Sequence, residues 1–304
     1  MKYKFENLGC RDSKSKSRRF EGGFMRTSIP VLVLAAWSAS GAEIRSNEIH
    51  EYMKSADIDA TFAKIQDSLN VIMKPNFALV LRVSTGGPGA WKTHEDADEF
   101  WLVRGGSAKL FLGESVADAK QYQIGSGDVL NVPRTKGYRI DAGSSRLEYV
   151  VIRVFPTERH TRSPLWGRGG GGRGRPMDNV VPAAQLDKLI ADSDASKPGL
   201  HATSTLAMDL IIYNGAPGPH EAHATYDQIY FVRLGSAKAV LDGFIENPSA
   251  ASEVQPGQFR GTDIRGGREY TMGPGDILFV PRNATHYMDP GALKYVYLLA
   301  GMFD

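Results

Sequence analysis

From Phe77 onward the chain reads as apolar runs of five to eight residues, many with period two, broken by Gly, Pro and Asp turns. Such alternation puts successive side chains on opposite faces of a strand. Many short strands between turn signals predict an antiparallel sandwich or barrel. Two stretches depart from that period. Within residues 47–69, Ile58, Phe62, Ile65 and Leu69 recur at helical spacing, and within 182–191 Leu186, Leu189 and Ile190 share one side. Each predicts a short helix, the second with Pro182 suited to its first turn.

The pattern occurs twice. Residues 77–112 align without a gap on 206–241 at an offset of 129, so His94 faces His223, and Asp98 and Glu99 face Asp227 and Gln228. Residues 125–134 align on 273–282 at an offset of 148, so Gly127 and Asp128 face Gly275 and Asp276. The second copy therefore carries 19 extra residues between its blocks, around 244–262. Two copies of one domain, each preceded by a helix, account for the pattern.

Composition changes this picture mainly at the N-terminus. The apolar run 29–37 follows Arg26 and precedes Ser40, Gly41 and Ala42, which reads as an export signal cleaved after Ala42, whether the chain starts at Met1 or Met25. The run is far shorter than the ~20 residues a membrane span needs, so no membrane anchor is expected. Residues 1–42 hold eight of the 36 Lys and Arg and three of the 34 Asp and Glu. The remainder has 28 basic and 31 acidic side chains, a net charge of −3, which gives no argument for a nucleic-acid partner. Cys10 is the only cysteine, which excludes a disulfide framework within the chain, a multi-thiolate zinc site and thiol catalysis after cleavage. Between the copies, 167–175 is built almost wholly from Gly and Arg and reads as a flexible linker.

Candidate chemistry lies in two blocks, 215–235 and 273–289, which hold His220, His223 and His286. Neutral imidazoles gathered from separate strands suit a first-row transition metal. Gly275, Asp276, Pro281 and His286 stand at the defined positions of the second motif of the cupin superfamily, and His223, Gln228 and Gly235 fit the spacing of the first. The chain thus resembles a bicupin, and the resemblance covers nearly all of it beyond the leader. It implies an all-β fold of two cupin-type double-stranded β-helix (jelly-roll) barrels. The expected organisation is a leader 1–42, an N-terminal barrel 43–160, a linker 161–180 and a C-terminal barrel 181–304.

The two copies depart from the motifs differently. In the second, Glu221 takes the first-histidine position and Gln228 the usual glutamate. On a strand Glu221 and His223 share a face that His220 does not. One ligand set is Glu221, His223 and His286, with Gln228 as a weak ligand or hydrogen-bond partner. The other puts His220 in place of Glu221. Either suits one divalent Mn, Fe, Ni, Cu or Zn. In the first copy His94 and Glu99 keep their places, but Lys92 and Tyr138 replace the other ligands. That copy is expected to have lost its metal. Its pocket could take an organic ligand against Trp91, Trp101 and Tyr138, unless those rings are ordinary core.

The leader implies a secreted or periplasmic protein, and the resemblance one that binds a small organic ligand. If it is an enzyme, the expected reaction is metal-dependent oxidation, isomerisation or decarboxylation of a small organic acid or phenol. Glu221 or a metal-bound water is then the candidate base. A non-catalytic binding protein and a purely structural module stand as the alternatives, and assembly into a homo-oligomer is left open.

Overall fold

The strands of both copies run in the same order, and all their pairings are antiparallel. The structure, a computed structural model, describes residues 44, 51–156, 179–193, 197–202, 206–250 and 257–303. The proposed leader and most of the linker lie outside the described residues.

In the first copy a six-stranded sheet has the order Val180–Val181, Val129–Val132, Asp98–Gly105, Gly143–Val154, Phe77–Gly86, Ser68–Met73. It faces a four-stranded sheet of Lys92–Thr93, Gly137–Asp141, Ser107–Gly113 and Lys120–Gly125. The second copy repeats this with Tyr52–Met53, Ile277–Val280, Tyr226–Leu234, Lys294–Phe303, Leu206–Asn214 and Lys197–Ala202. Its facing sheet contains His220–His223, His286–Asp289, Ala237–Leu241 and Arg268–Met272, extended by Gln258–Gly261 and Ser249–Ala250. The last two strands come from the 19-residue excess. Sharp turns at Gly106 and Gly235, at φ +75 in each, close the first motif, and a Cβ there would strike a backbone carbonyl.

Along Phe77–Gly86, Ala78 and Val80 point into the first barrel with Trp101 and Leu110. Phe77, Leu79, Leu81 and Val83 point out, into a cluster shared with Leu210, Phe279 and Leu298 of the second copy. The two six-stranded sheets therefore pack back to back, with Phe77 and Phe279 rings 5.8 Å apart. Burial on both faces is why these strands read as continuous apolar runs rather than clean alternation.

The helices are α1 (Ser55–Phe62) and α2 (Ala183–Ala191). The first is shorter than the periodicity predicts. Leu69 belongs to the strand Ser68–Met73, and Arg146 donates to the carbonyls of Phe62 and Ile65 at and just beyond the helix end. Lys294 does the same for Ile190 and Ser193 at the end of α2. Cations at a helix C-terminus satisfy free carbonyls and complement the helix dipole.

Neither helix has a side-chain cap of its own at Lys54 or Pro182. The other copy supplies it. Asp276 accepts from the Ser55 N–H and Asp128 from the Ala183 N–H, both at 2.7 Å. The exchange extends to strands: Tyr52–Met53 pairs with Leu278 and Ile277, and Val180–Val181 pairs with Leu130 and Val129. Arg104 donates to the Gly275 carbonyl and Arg233 to the Gly127 carbonyl. The motif aspartates thus hold the two copies together.

Candidate metal centre

His223 ends the strand His220–His223, and His286 opens the neighbouring strand in register with Glu221. Strand parity puts Glu221 and His223 on the inner face, so one ligand atom from each of Glu221, His223 and His286 lies within 4.8 Å of the others. Glu221 Oε1 is 3.4 Å from His223 Nε2 and 3.6 Å from His286 Nε2. Both imidazoles are almost fully buried.

The outer nitrogens are already engaged. His223 Nδ1 is 2.7 Å from the Tyr226 hydroxyl, and His286 Nδ1 donates to the Ala284 carbonyl at 3.2 Å. Both Nε2 atoms are buried without a hydrogen-bond partner. A buried polar group left unpaired costs about 1–3 kcal/mol. Two such nitrogens converging on one carboxylate oxygen fit a cation between them, so the residues present suit one divalent metal.

The charge states agree with that use. Burial pushes the His223 imidazole down, which keeps it neutral and able to ligate. Burial opposes ionisation of Glu221, yet the neighbouring imidazoles hold its carboxyl well below the usual carboxylate range. Burial also pushes the Tyr226 phenol up, so it remains a neutral partner that can accept from His223 Nδ1–H and fix the tautomer.

The other expected ligands fall differently. His220 lies outside this group: it stacks on Tyr287 at 4.2 Å and sits 3.7 Å from Asp263. Gln228 is buried, with Oε1 accepting from the Tyr230 hydroxyl at 2.9 Å. Sequence reasoning missed three contributors. Tyr226 stands where the first copy has Ala97, a difference the alignment exposes. Gln258 and Arg260 reach Glu221 Oε2 at 2.6 and 3.4 Å. Their only sequence signal is that they belong to the excess residues of the second copy.

The first copy brings His94, Glu99 and Tyr138 together, but around guanidinium groups. Glu99 is fully buried and accepts from Arg82 at 3.0 and 3.1 Å and from Trp101 Nε1 at 2.9 Å. Arg153 Nε lies 3.0 Å and His94 Nε2 3.4 Å from its other oxygen. The Tyr138 hydroxyl is 3.2 Å from His94 Nε2 and takes a 3.4 Å bond from Arg82. Lys92, in register with Tyr138 as Glu221 is with His286, is exposed at the mouth. Register equates Arg82 with Ile211 and Arg153 with Gly301, so the cations filling this barrel have no counterpart in the second. Trp101 is core: it has no exposed surface and meets Tyr138 edge-on at 4.7 Å. Above Tyr138 a cavity of about 230 Å³ is bordered by Ser84, Lys92 and Ile140.

A solved structure shares this fold. A cupin 2 conserved barrel domain protein from Leptotrichia buccalis superposes with a TM-score of 0.56 at 14% identity, covering 86% of this chain and 100% of its own. Oxalate decarboxylase from Bacillus subtilis gives 0.49 at 14% identity, over 86% of this chain and 78% of that one. No protein-family model matches the chain. No curated protein matches it by sequence. The chain has the cupin fold in two copies, a bicupin, with a candidate centre for one divalent metal in the second.

Proposed function

We propose that this chain is an exported metal-binding bicupin whose second barrel presents one divalent metal to a small organic acid or phenol. The observation that carries the reading is the pair of buried, unbonded Nε2 atoms of His223 and His286 facing Glu221 Oε1. Such a metal would hold and polarise substrate oxygens as a Lewis acid or supply open positions for dioxygen. His223 and His286 provide imidazole nitrogens, their outer nitrogens being engaged by the Tyr226 hydroxyl and the Ala284 carbonyl. Glu221 provides the negative charge. In the oxygenase or isomerase reading, Glu221 or a water on the metal is the candidate base. No helix among the described residues is long and apolar enough to cross a membrane, and export rests on the leader sequence.

The test is metal analysis of purified protein beside His94→Ala and His286→Ala variants. One equivalent of metal, retained in the first variant and lost in the second, is the expected result. Equal loss in both, or none, overturns the reading. Oxygen uptake and product analysis across a panel of phenols and small acids then separate catalysis from capture. A non-catalytic binder is the second reading, favoured by Gln228, which brings no negative charge and whose carbonyl is engaged by Tyr230.

A further inference from the structure

We infer that Gln258, assisted by Arg260, is a positioning residue that makes Glu221 a one-oxygen ligand of the metal, an inference that rests on the metal-binding reading above. Both residues lie on the strand Gln258–Gly261, which the 19-residue excess adds to the second copy alone. That strand pairs along the whole of His220–His223, with Gln258 opposite His223 and Arg260 opposite Glu221. Among the described residues the first copy, with Lys92 at the position of Glu221, has no such strand and no carboxylate there to hold.

The geometry divides the two oxygens of Glu221. Oε2 takes a 2.6 Å hydrogen bond from Gln258 Nε2 and lies 3.4 Å from Arg260 Nε. Oε1 is left to the two imidazoles at 3.4 and 3.6 Å. A carboxylate on a flexible stem otherwise rotates between one-oxygen and two-oxygen coordination. Donors on one oxygen fix its plane and commit the other. The amide that makes this bond is itself held inside the barrel: Gln258 is 6% exposed, and its Oε1 is buried. With Nε2 spent on Glu221, that oxygen has no donor among the described residues.

The experiment titrates Co(II) alone into the metal-free full chain of wild type, Gln258→Met, Arg260→Ala and His286→Ala. Calorimetry gives the dissociation constant and the visible spectrum of bound Co(II) reports its coordination. Melting of the metal-free proteins reports structure. Methionine keeps the length of glutamine without its donor. Loss of such a partner weakens metal binding by about 10–100-fold. Gln258→Met should fall in that range and change the Co(II) spectrum, Arg260→Ala should weaken binding less, and metal-free melting should stay near wild type in both. Wild-type affinity and spectrum in Gln258→Met, with binding lost in His286→Ala, overturn the positioning role and leave the metal site standing. No binding by wild type, or binding indifferent to His286→Ala, overturns the metal reading and this inference with it. Where Gln258→Met does not fold, Arg260→Ala decides: an unchanged affinity and spectrum there overturns the clamp.

Discussion

Arg82 and Ile211 hold the same register position in the two copies, as do Arg153 and Gly301, and these exchanges give the barrel interiors opposite electrostatics. In the first copy, guanidinium groups neutralise Glu99. In the second, Gln228 needs no cation, and Glu221 and two imidazoles are left to attract one. Replacing Arg82 with isoleucine strips a fully buried carboxylate of its two-pronged partner, which typically costs about 3–5 kcal/mol. Arg153 Nε and His94 remain near Glu99, so the lower end is expected, about 3 kcal/mol by urea unfolding. Adding Glu99→Gln to Arg82→Ile removes the stranded charge, so the double variant should recover about 1 kcal/mol or more of that loss. Strict additivity of the two changes would show that the pair does not interact. The histidine positions were legible because the motifs fix their spacing, and strand parity separated Glu221 from His220. Arg82 was not legible: one arginine in an apolar run declares its role only once neighbouring strands show which face it takes.

Each helix is held at both ends by side chains distant in sequence. Its N-terminus rests on an aspartate of the other copy, and its C-terminal carbonyls on a cation of its own. The sequence located both helices through their apolar spacing. It overran the first because Leu69 continues the helical period by coincidence while pairing as a strand with Leu81. Nor could it reveal that the motif aspartates are caps, since a cap supplied across 221 residues leaves no local pattern. Asp276 accepts from Ser55 N–H, Gly273 N–H and the Tyr52 hydroxyl, each at 2.7 Å. Asp276→Ala leaves two backbone donors unpaired, and hydrogen bonds to a charged group contribute about 1.5–3 kcal/mol each, so a loss of about 3 kcal/mol is expected. Amide exchange at the start of α1 should accelerate in step, although the substitution lies in the other copy. Unchanged exchange there would show that the helix does not depend on this cap.

The whole molecule is built on reciprocity between its copies, which bears on how the chain can be divided. Residues 41–304 form one compact unit, and the largest apolar cluster is the seam between the two six-stranded sheets. Lys74 of the first copy pairs with Asp227 of the second at 3.1 Å and lies over the Phe279 ring, adding polar ties at the rim of that seam. The repeat was legible from the alignment of the chain on itself, but not that each copy lends an edge strand to the other's sheet. The seam was not, because an apolar residue facing outward to a partner sheet looks the same in sequence as one facing inward to its own barrel. Separating the halves would expose Leu79, Leu81 and Val83 on one side and Met208, Leu210 and Ile212 on the other. Each such side chain contributes about 1.5–3 kcal/mol when fully buried. A domain's net stability is only about 5–15 kcal/mol, so exposing a handful of them suffices to unfold a half. Residues 43–160 and 181–304 expressed separately should therefore be insoluble or partly unfolded, and their co-expression should yield a soluble one-to-one complex. The intact chain should melt in a single calorimetric transition, as should chain nicked by trypsin within 161–180. Two well-separated transitions, or either half folding alone with native-like near-ultraviolet dichroism, would show that the seam is dispensable and each barrel self-sufficient.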